Sequence, residues 1–240
     1  MKKLIIFDLD GTVLNTIGGI GSACNEMLDH FDLPAWELKD YERFVGDGSR
    51  MLIKRSLPAE KAADEAFVDE ARDVYLGFYR ANLARETHPY DGMPELLKEL
   101  QGRGFTLAVA SNKFDDGAKF LVPHFYPDIR WAAVEGQKPG GPLKPAPGII
   151  DDAIRNSILT ANRLPVEPAM THKAGRGETQ SIPKSEILYI GDCEVDIQSA
   201  ERAGLDYVLC TWGFRRRVAL EAAGAKALID TPEELLKYLN

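Results

Sequence analysis

Cysteine is scarce in this chain. Its 240 residues include three, Cys24, Cys193 and Cys210, with no CxxC pair among them. An odd, widely spaced set supports neither a disulfide framework nor a structural zinc site. The four histidines are scattered without metal-ligand spacing. No apolar run approaches the roughly 20 residues that cross a bilayer. The opening MKKLIIFDLD has too short an apolar stretch before its first acid for a secretory core. Excess positive charge is also lacking: the formal net charge is -8. That balance argues against nucleic acid or an anionic membrane as a partner. A small anionic ligand stays possible, because a local site can differ in sign from the whole. No internal repeat is evident. The expectation is a cytoplasmic protein, monomer or homodimer, whose partner is a small molecule.

What is present suits a soluble globular chain, with 45% hydrophobic and 28% charged residues. LIIF (4–7) is a continuous, β-branched apolar run ended by DLDG, and reads as a buried strand running into a loop. FTLAVAS (105–111), WAAVEG (131–136), EILYIGD (186–192) and YVLCTWG (207–213) are similar, and KALID (226–230) is a weaker case. Helical patterns lie between them. MPELLKELQGRG ends on Gly102 and Gly104, DIQSAERAG ends on Gly204, and TPEELLKYLN starts with an N-cap Thr231 and Pro232. Buried strands alternating with helices predict an α/β fold, a Rossmann-like parallel sheet flanked by helices.

Two stretches break the alternation. Residues 17–87 carry helical patterns and no buried strand; in the second of them Ala66, Phe67, Val74, Phe78 and Leu83 recur at roughly helical spacing. They predict a small α-helical cap domain, inserted into a discontinuous core made of 1–16 and 88–240. Residues 161–184 are polar and rich in Pro and Gly, and predict a flexible loop in that core. Loops between a helix and the next strand lie opposite the ligand-binding edge of such a sheet, so no catalytic part is expected of this one.

The first strand ends in an unusual pair, Asp8 and Asp10, one residue apart. A calcium loop of the EF-hand type counted from Asp8 needs Gly at its sixth place and Glu at its twelfth. Val13 and Gly19 stand there, and a strand leads in, so that reading fails. In an open parallel sheet, ligands bind beyond the carboxyl ends of the strands. Other strand ends bring complementary groups to the same edge: Ser111 and Asn112 from ASNK, Lys144 from GGPLKPAPG, and Asp192 and Asp196 from GDCEVD. Three carboxylates around one point repel unless a hard cation such as magnesium joins them. A lysine and a hydroxyl beside them suit phosphate. In the cap, GDGSR (46–50) could aim Asp47 or Arg50 at the substrate, where Arg50 could pair with a carboxylate.

DLDGT, the SN of ASNK, KPAP and GDCEVD resemble, in order, the four motifs of the haloacid dehalogenase superfamily. FVGDGSRMLI, YDGMPELLKEL and VASNK strengthen the likeness to its subgroup containing phosphoglycolate phosphatases. The resemblance implies a phosphatase that uses Mg2+ and acts on a small phosphorylated metabolite. Asp8 would be the nucleophile, and Asp10 the general acid and then the base. Asp8, Asp192 and the carbonyl of Asp10 would hold the metal. Ser111, Asn112 and Lys144, with Thr12 and the cap residues Gly46 and Arg50, would bind phosphate or substrate. Asp196 would steady Lys144 or a metal-bound water. A phosphomutase of the β-phosphoglucomutase type is the alternative. The acid-rich cap stretch EKAADEAFVDEARD favours hydrolysis, because a mutase must hold a sugar bisphosphate.

Overall fold

The computed structural model describes residues 1–161 and 181–240. The expected loop at 161–184 therefore lies, apart from its two ends, outside the described residues. Six parallel strands form the main sheet: β1 (Leu4–Phe7), β4 (Thr106–Phe114), β5 (Trp131–Gln137), β6 (Ile187–Gly191), β7 (Asp206–Cys210) and β8 (Leu228–Ile229). Their spatial order is β5-β4-β1-β6-β7-β8. β1 is central and fully buried, and its four apolar side chains alternate between the two faces. Ile5 and Phe7 join one core with Leu107, Val109, Leu188 and Ile190. Leu4 and Ile6 join the other with Ala108, Ala110, Ile187 and Tyr189. Burying each such side chain contributes about 1.5–3 kcal/mol, which explains why the strand carries no polar residue until Asp8.

Helices cover both faces. α5 (Met93–Gly102) and α6 (Asp115–Phe125) pack on the first core through Leu96, Leu97, Leu121 and Val122. α7 (Gly148–Ala161), α8 (Glu194–Ala203) and α9 (Arg217–Ala222) pack on the second through Ile150, Ala153, Ala200 and Leu220. The terminal TPEELLKYLN folds as a 3-10 helix over Pro232–Tyr238, and Thr231 makes no side-chain cap bond. Among the described residues no helix is long and apolar enough to cross a membrane.

β4 runs three residues further than its sequence pattern suggests, so Asn112, Lys113 and Phe114 belong to the strand along with Ser111. A short ribbon, β2 (Leu14–Asn15) against β3 (His88–Pro89), brackets the helical insert and was not evident in the sequence. The insert contains α1 (Ile17–His30), a 3-10 turn (Leu38–Arg43), α2 (Gly48–Ser56), α3 (Ala59–Ala62) and α4 (Glu65–Ala81). These share a third core that includes Met27, Leu28, Ile53 and Phe214, the last from the sheet side. The buried face of α4 is offset from the expected one: Val68, Ala71, Tyr75, Leu76 and Tyr79 are buried. Phe67, Val74, Phe78 and Leu83 flank that core, while Ala66 is exposed. Two tyrosines, not counted in the apolar period, set the face because it also looks onto the sheet edge.

Candidate active site

The sheet registers explain why the site forms where it does. Phe7 pairs with Val109 of β4 and with Ile190 of β6, so the next residues of three central strands emerge side by side. The Asp8 N–H donates to the Ile190 carbonyl at 2.8 Å, which fixes the carboxylate at the carboxyl edge. Asp8, Asp10, Ser111, Asn112 and Asp192 line one cavity of about 60 Å³, closed on its far side by the insert.

Lys144, just before α7, is buried beneath these residues. Its Nζ donates to the Tyr189 hydroxyl and to Asp196 Oδ1, both at 2.9 Å. The same Nζ lies 2.8 Å from Asp8 Oδ1. Apart from this ion pair, Asp8 Oδ1 is buried with no further donor. Burial disfavours a charged lysine, but the carboxylates of Asp196 and Asp8 outweigh it and raise the Lys144 pKa well above the ordinary value. Asp8 is pushed up to about 6, chiefly by burial, with Lys144 opposing and Asp196 adding to the rise. Burial, then the carboxylates of Asp196 and Asp8, push Asp192 well above the usual range.

Asp196 is different in kind. Its Oδ1 also accepts from the Tyr189 hydroxyl at 2.8 Å, and its Oδ2 accepts from the N–H groups of Asp192 and Cys193 at 3.0 and 3.2 Å. Burial raises its pKa, but Lys144 and the other donors outweigh that and hold it below the ordinary carboxylate value. With the Cys193 thiol as a further donor at 3.1 Å, its lone pairs are occupied. Asp192, Cys193 and Asp196 cluster closely enough to resemble a metal site. We reject that set, because Asp196 is spent on Lys144 and the loop backbone and a neutral thiol is a poor ligand for a hard cation. Asp8, whose Oδ1 meets only Lys144, and Asp192, whose Oδ2 meets only the Phe214 N–H, fit a magnesium ion better: both are carboxylate oxygen donors with capacity left over.

Gly11 is needed in this corner. Its φ is +87°, and a Cβ there would lie 2.3 Å from Asp192 Oδ2. That oxygen is itself held by the Phe214 N–H at 2.7 Å.

The remaining expected residues divide. Asp10 Oδ1 accepts from Thr16 at 2.8 Å and from Lys113 at 2.9 Å. Asn112 turns its amide away from the centre: Nδ2 donates to the Gly46 and Lys144 carbonyls, and Oδ1 accepts from the Lys144 N–H at 2.6 Å. Gly46 lines the cavity, with φ +119°. Arg50 does not reach it. The guanidinium pairs with Glu65 and Asp69 at 2.6 and 2.7 Å on the outside of the insert, and Asp47 pairs with Arg55. On a helix, α2 turns Ser49 and Leu52 to the cavity and Arg50 to α4. Thr12 is fully buried with an unpartnered hydroxyl and does not line the cavity. The acids around Glu65 and Asp69 lie on that same outer surface, so their charge does not bear on the cavity.

The lining residues that sequence reasoning missed include Lys113, Arg215, Tyr75 and Tyr79. Lys113 was in plain view, since strand alternation places it on the same side as Ser111. Arg215 follows β7, and the strand-end rule applied to that strand would have flagged it. The two tyrosines carried no local signal, because only tertiary packing brings α4 over the sheet edge.

Comparison with known proteins gives the family. The model of the haloacid dehalogenase-like hydrolases matches residues 5–210. A phosphoglycolate phosphatase of Mesorhizobium japonicum is 27% identical, over 90% of this chain and 86% of that protein. One of Cereibacter sphaeroides is 29% identical, over 98% of both. A crystal structure from Lactobacillus delbrueckii subsp. bulgaricus, provisionally called a phosphoglycolate phosphatase, is 26% identical with a TM-score of 0.82, covering 100% of this chain and 99% of that one.

Proposed function

The chain belongs to the haloacid dehalogenase-like hydrolases, and from that premise we propose that it is a magnesium-dependent phosphatase acting on a small phosphomonoester of the phosphoglycolate kind. The observation that carries this reading is the convergence of Asp8, Asp10, Ser111 and Asp192 on one cavity with Lys144 beneath them. The names of the relatives support the substrate class.

Asp8 attacks phosphorus, and the bond from phosphorus to the ester oxygen breaks. Asp10 gives its proton to the departing oxygen, leaving a phosphorylated Asp8. Asp10, now a carboxylate, takes a proton from water as the water oxygen attacks phosphorus. The Asp8–phosphorus bond breaks, inorganic phosphate leaves, and both carboxyl groups return to their starting states. Ser111, the Asn112 N–H and Lys144 hold the phosphoryl oxygens. Asp8, Asp192 and the Asp10 carbonyl would hold the magnesium ion, which when bound offsets phosphate charge. Asp196 keeps Lys144 charged and in place. The insert, residues 17–87, serves as a cap that excludes water.

Hydrolysis is favoured over the mutase reaction for a reason other than surface acidity. The insert residues that line the cavity, among them Ile20, Ser49, Leu52 and Tyr75, include no basic side chain to hold a second phosphate. Phosphate release from a panel of phosphorylated metabolites, with and without magnesium, tests the reading. Asp8→Asn should reduce release to background while the protein keeps its melting temperature to within a few degrees. Hydrolysis by that variant at the parent's rate would show the nucleophile assignment to be wrong.

A further inference from the structure

Lys113 is a buried cation whose position in the reaction is unassigned. It lies on β4 beside Ser111 and Asn112, with its side chain almost fully enclosed. Nζ donates to Asp10 Oδ1 at 2.9 Å and to the Tyr79 hydroxyl of α4 at 2.6 Å. An ammonium has three protons to donate. Among the described residues the third has no acceptor, although Lys113 lines the cavity. Burial works against its charge, and Asp10 with Tyr79 more than offsets that.

The location follows from the chemistry. Asp10 serves the leaving oxygen, so a group bonded to Asp10 stands on the leaving-group side, away from the transferring phosphoryl. The other cations near the cavity stand away from the leaving-group side. Lys144 lies beneath Asp8, held by Tyr189 and Asp196. Arg215 faces Glu194 and the carbonyls of Glu42 and Val45. Arg50 is outside. The insert lines the cavity mainly with apolar or aromatic side chains, Ile20, Val45, Leu52 and Tyr75 among them, and with no charged one.

We propose that Lys113, seated by Tyr79, receives a carboxylate carried on the carbon next to the ester oxygen, so that the site selects short anionic phosphoesters over neutral ones of the same size. This rests on the phosphatase reading above and identifies how that site would choose its substrate. A carboxylate there completes the donor set of Lys113 and pairs a charge inside a small, poorly hydrated space. Lys113 is thus a specificity-determining residue as well as the partner of Asp10.

The test compares phosphoglycolate with 2-hydroxyethyl phosphate, its neutral counterpart of equal length. In the parent, kcat/KM should favour phosphoglycolate. In Lys113→Met that preference should fall roughly tenfold to a hundredfold, the range of a hydrogen bond to a charged group. Most of the fall should appear as a raised KM for phosphoglycolate. Lys113→Arg should restore part of the preference. If Lys113→Met does not fold, as judged by its melting curve, Lys113→Gln keeps a hydrogen bond to Tyr79 and carries the same comparison. A preference unchanged in variants that have lost rate equally on both esters would overturn the inference and leave Lys113 as a support for Asp10 alone. Release of phosphate from neither ester by the parent would overturn the phosphatase reading, and this inference with it.

Discussion

Asp8 and Asp192 are buried carboxylates with too few donors, and their neighbours exist largely to make that tolerable. Lys144 pairs with Asp8, while the Phe214 N–H and the bare Cα of Gly11 make room for Asp192. Gly11 is therefore a sharp test of the corner. Gly11→Ala forces a left-handed backbone on a residue with a Cβ, at about 1–2 kcal/mol, and drives that Cβ into Asp192 Oδ2. We expect urea unfolding to show a loss of at least that size, with phosphate release falling alongside it. Parent-like stability would mean that the Asp192 loop can relax. At this scale most of the site is legible from the order of the acids, Ser111 and Lys144. Thr12 and Arg50 are the exceptions. The direction of a side chain at a turn or on a helix depends on what packs beside it, and here Glu65 and Asp69 draw Arg50 outward.

Between elements, the insert is tied to the sheet edge by side chains that bond backbone carbonyls. Asn112 on β4 bonds Gly46, and Arg215 after β7 bonds Glu42 and Val45. Asn112 also clasps Lys144 through both its carbonyl and its N–H. Asn112→Ala would leave a buried carbonyl and N–H of Lys144 without partners. An unsatisfied buried group costs about 1–3 kcal/mol, so we expect the unfolding free energy from chemical denaturation to drop by that order. Looser closure should also raise KM more than it lowers kcat. Activity and stability both at parent level would show that water replaces the amide. The strands, their buried character and most helices follow from apolar runs and periodicity. The buried face of α4 and the length of β4 do not, because tyrosines and polar residues fill buried positions where the two layers meet.

At the scale of the whole molecule, the buried carboxylates gathered at one sheet edge couple its stability to pH. Asp8 has its pKa raised from 3.8 to about 6. A raised carboxyl favours the folded state when protonated, so this contribution is fully present below about pH 4 and is lost as pH rises through 6. Without metal, the part of stability that Asp8 governs should decline between pH 4 and pH 7. On the proposed reading magnesium would bind the ionised form and restore it, so its stabilising shift should be larger at pH 7.5 than at pH 5. At a hundredfold excess over its dissociation constant the gain is about 2.7 kcal/mol. Melting curves with magnesium and with chelator at the two pH values check this. An equal shift at both would mean that the ion binds away from Asp8.

By itself the sequence determined the α/β architecture, the edge of the sheet that carries chemistry, and the residues Asp8, Asp10, Ser111, Lys144 and Asp192 that meet there. It could do so because strand burial and strand-end placement are local or repeat along the chain. Tertiary structure alone decided which cation faces Asp10, which arginine stands in the cavity and which turns to solvent. Those outcomes depend on how α4 and the 42–46 segment lie over the sheet. Packing between distant segments leaves no periodic mark in the residues that make it.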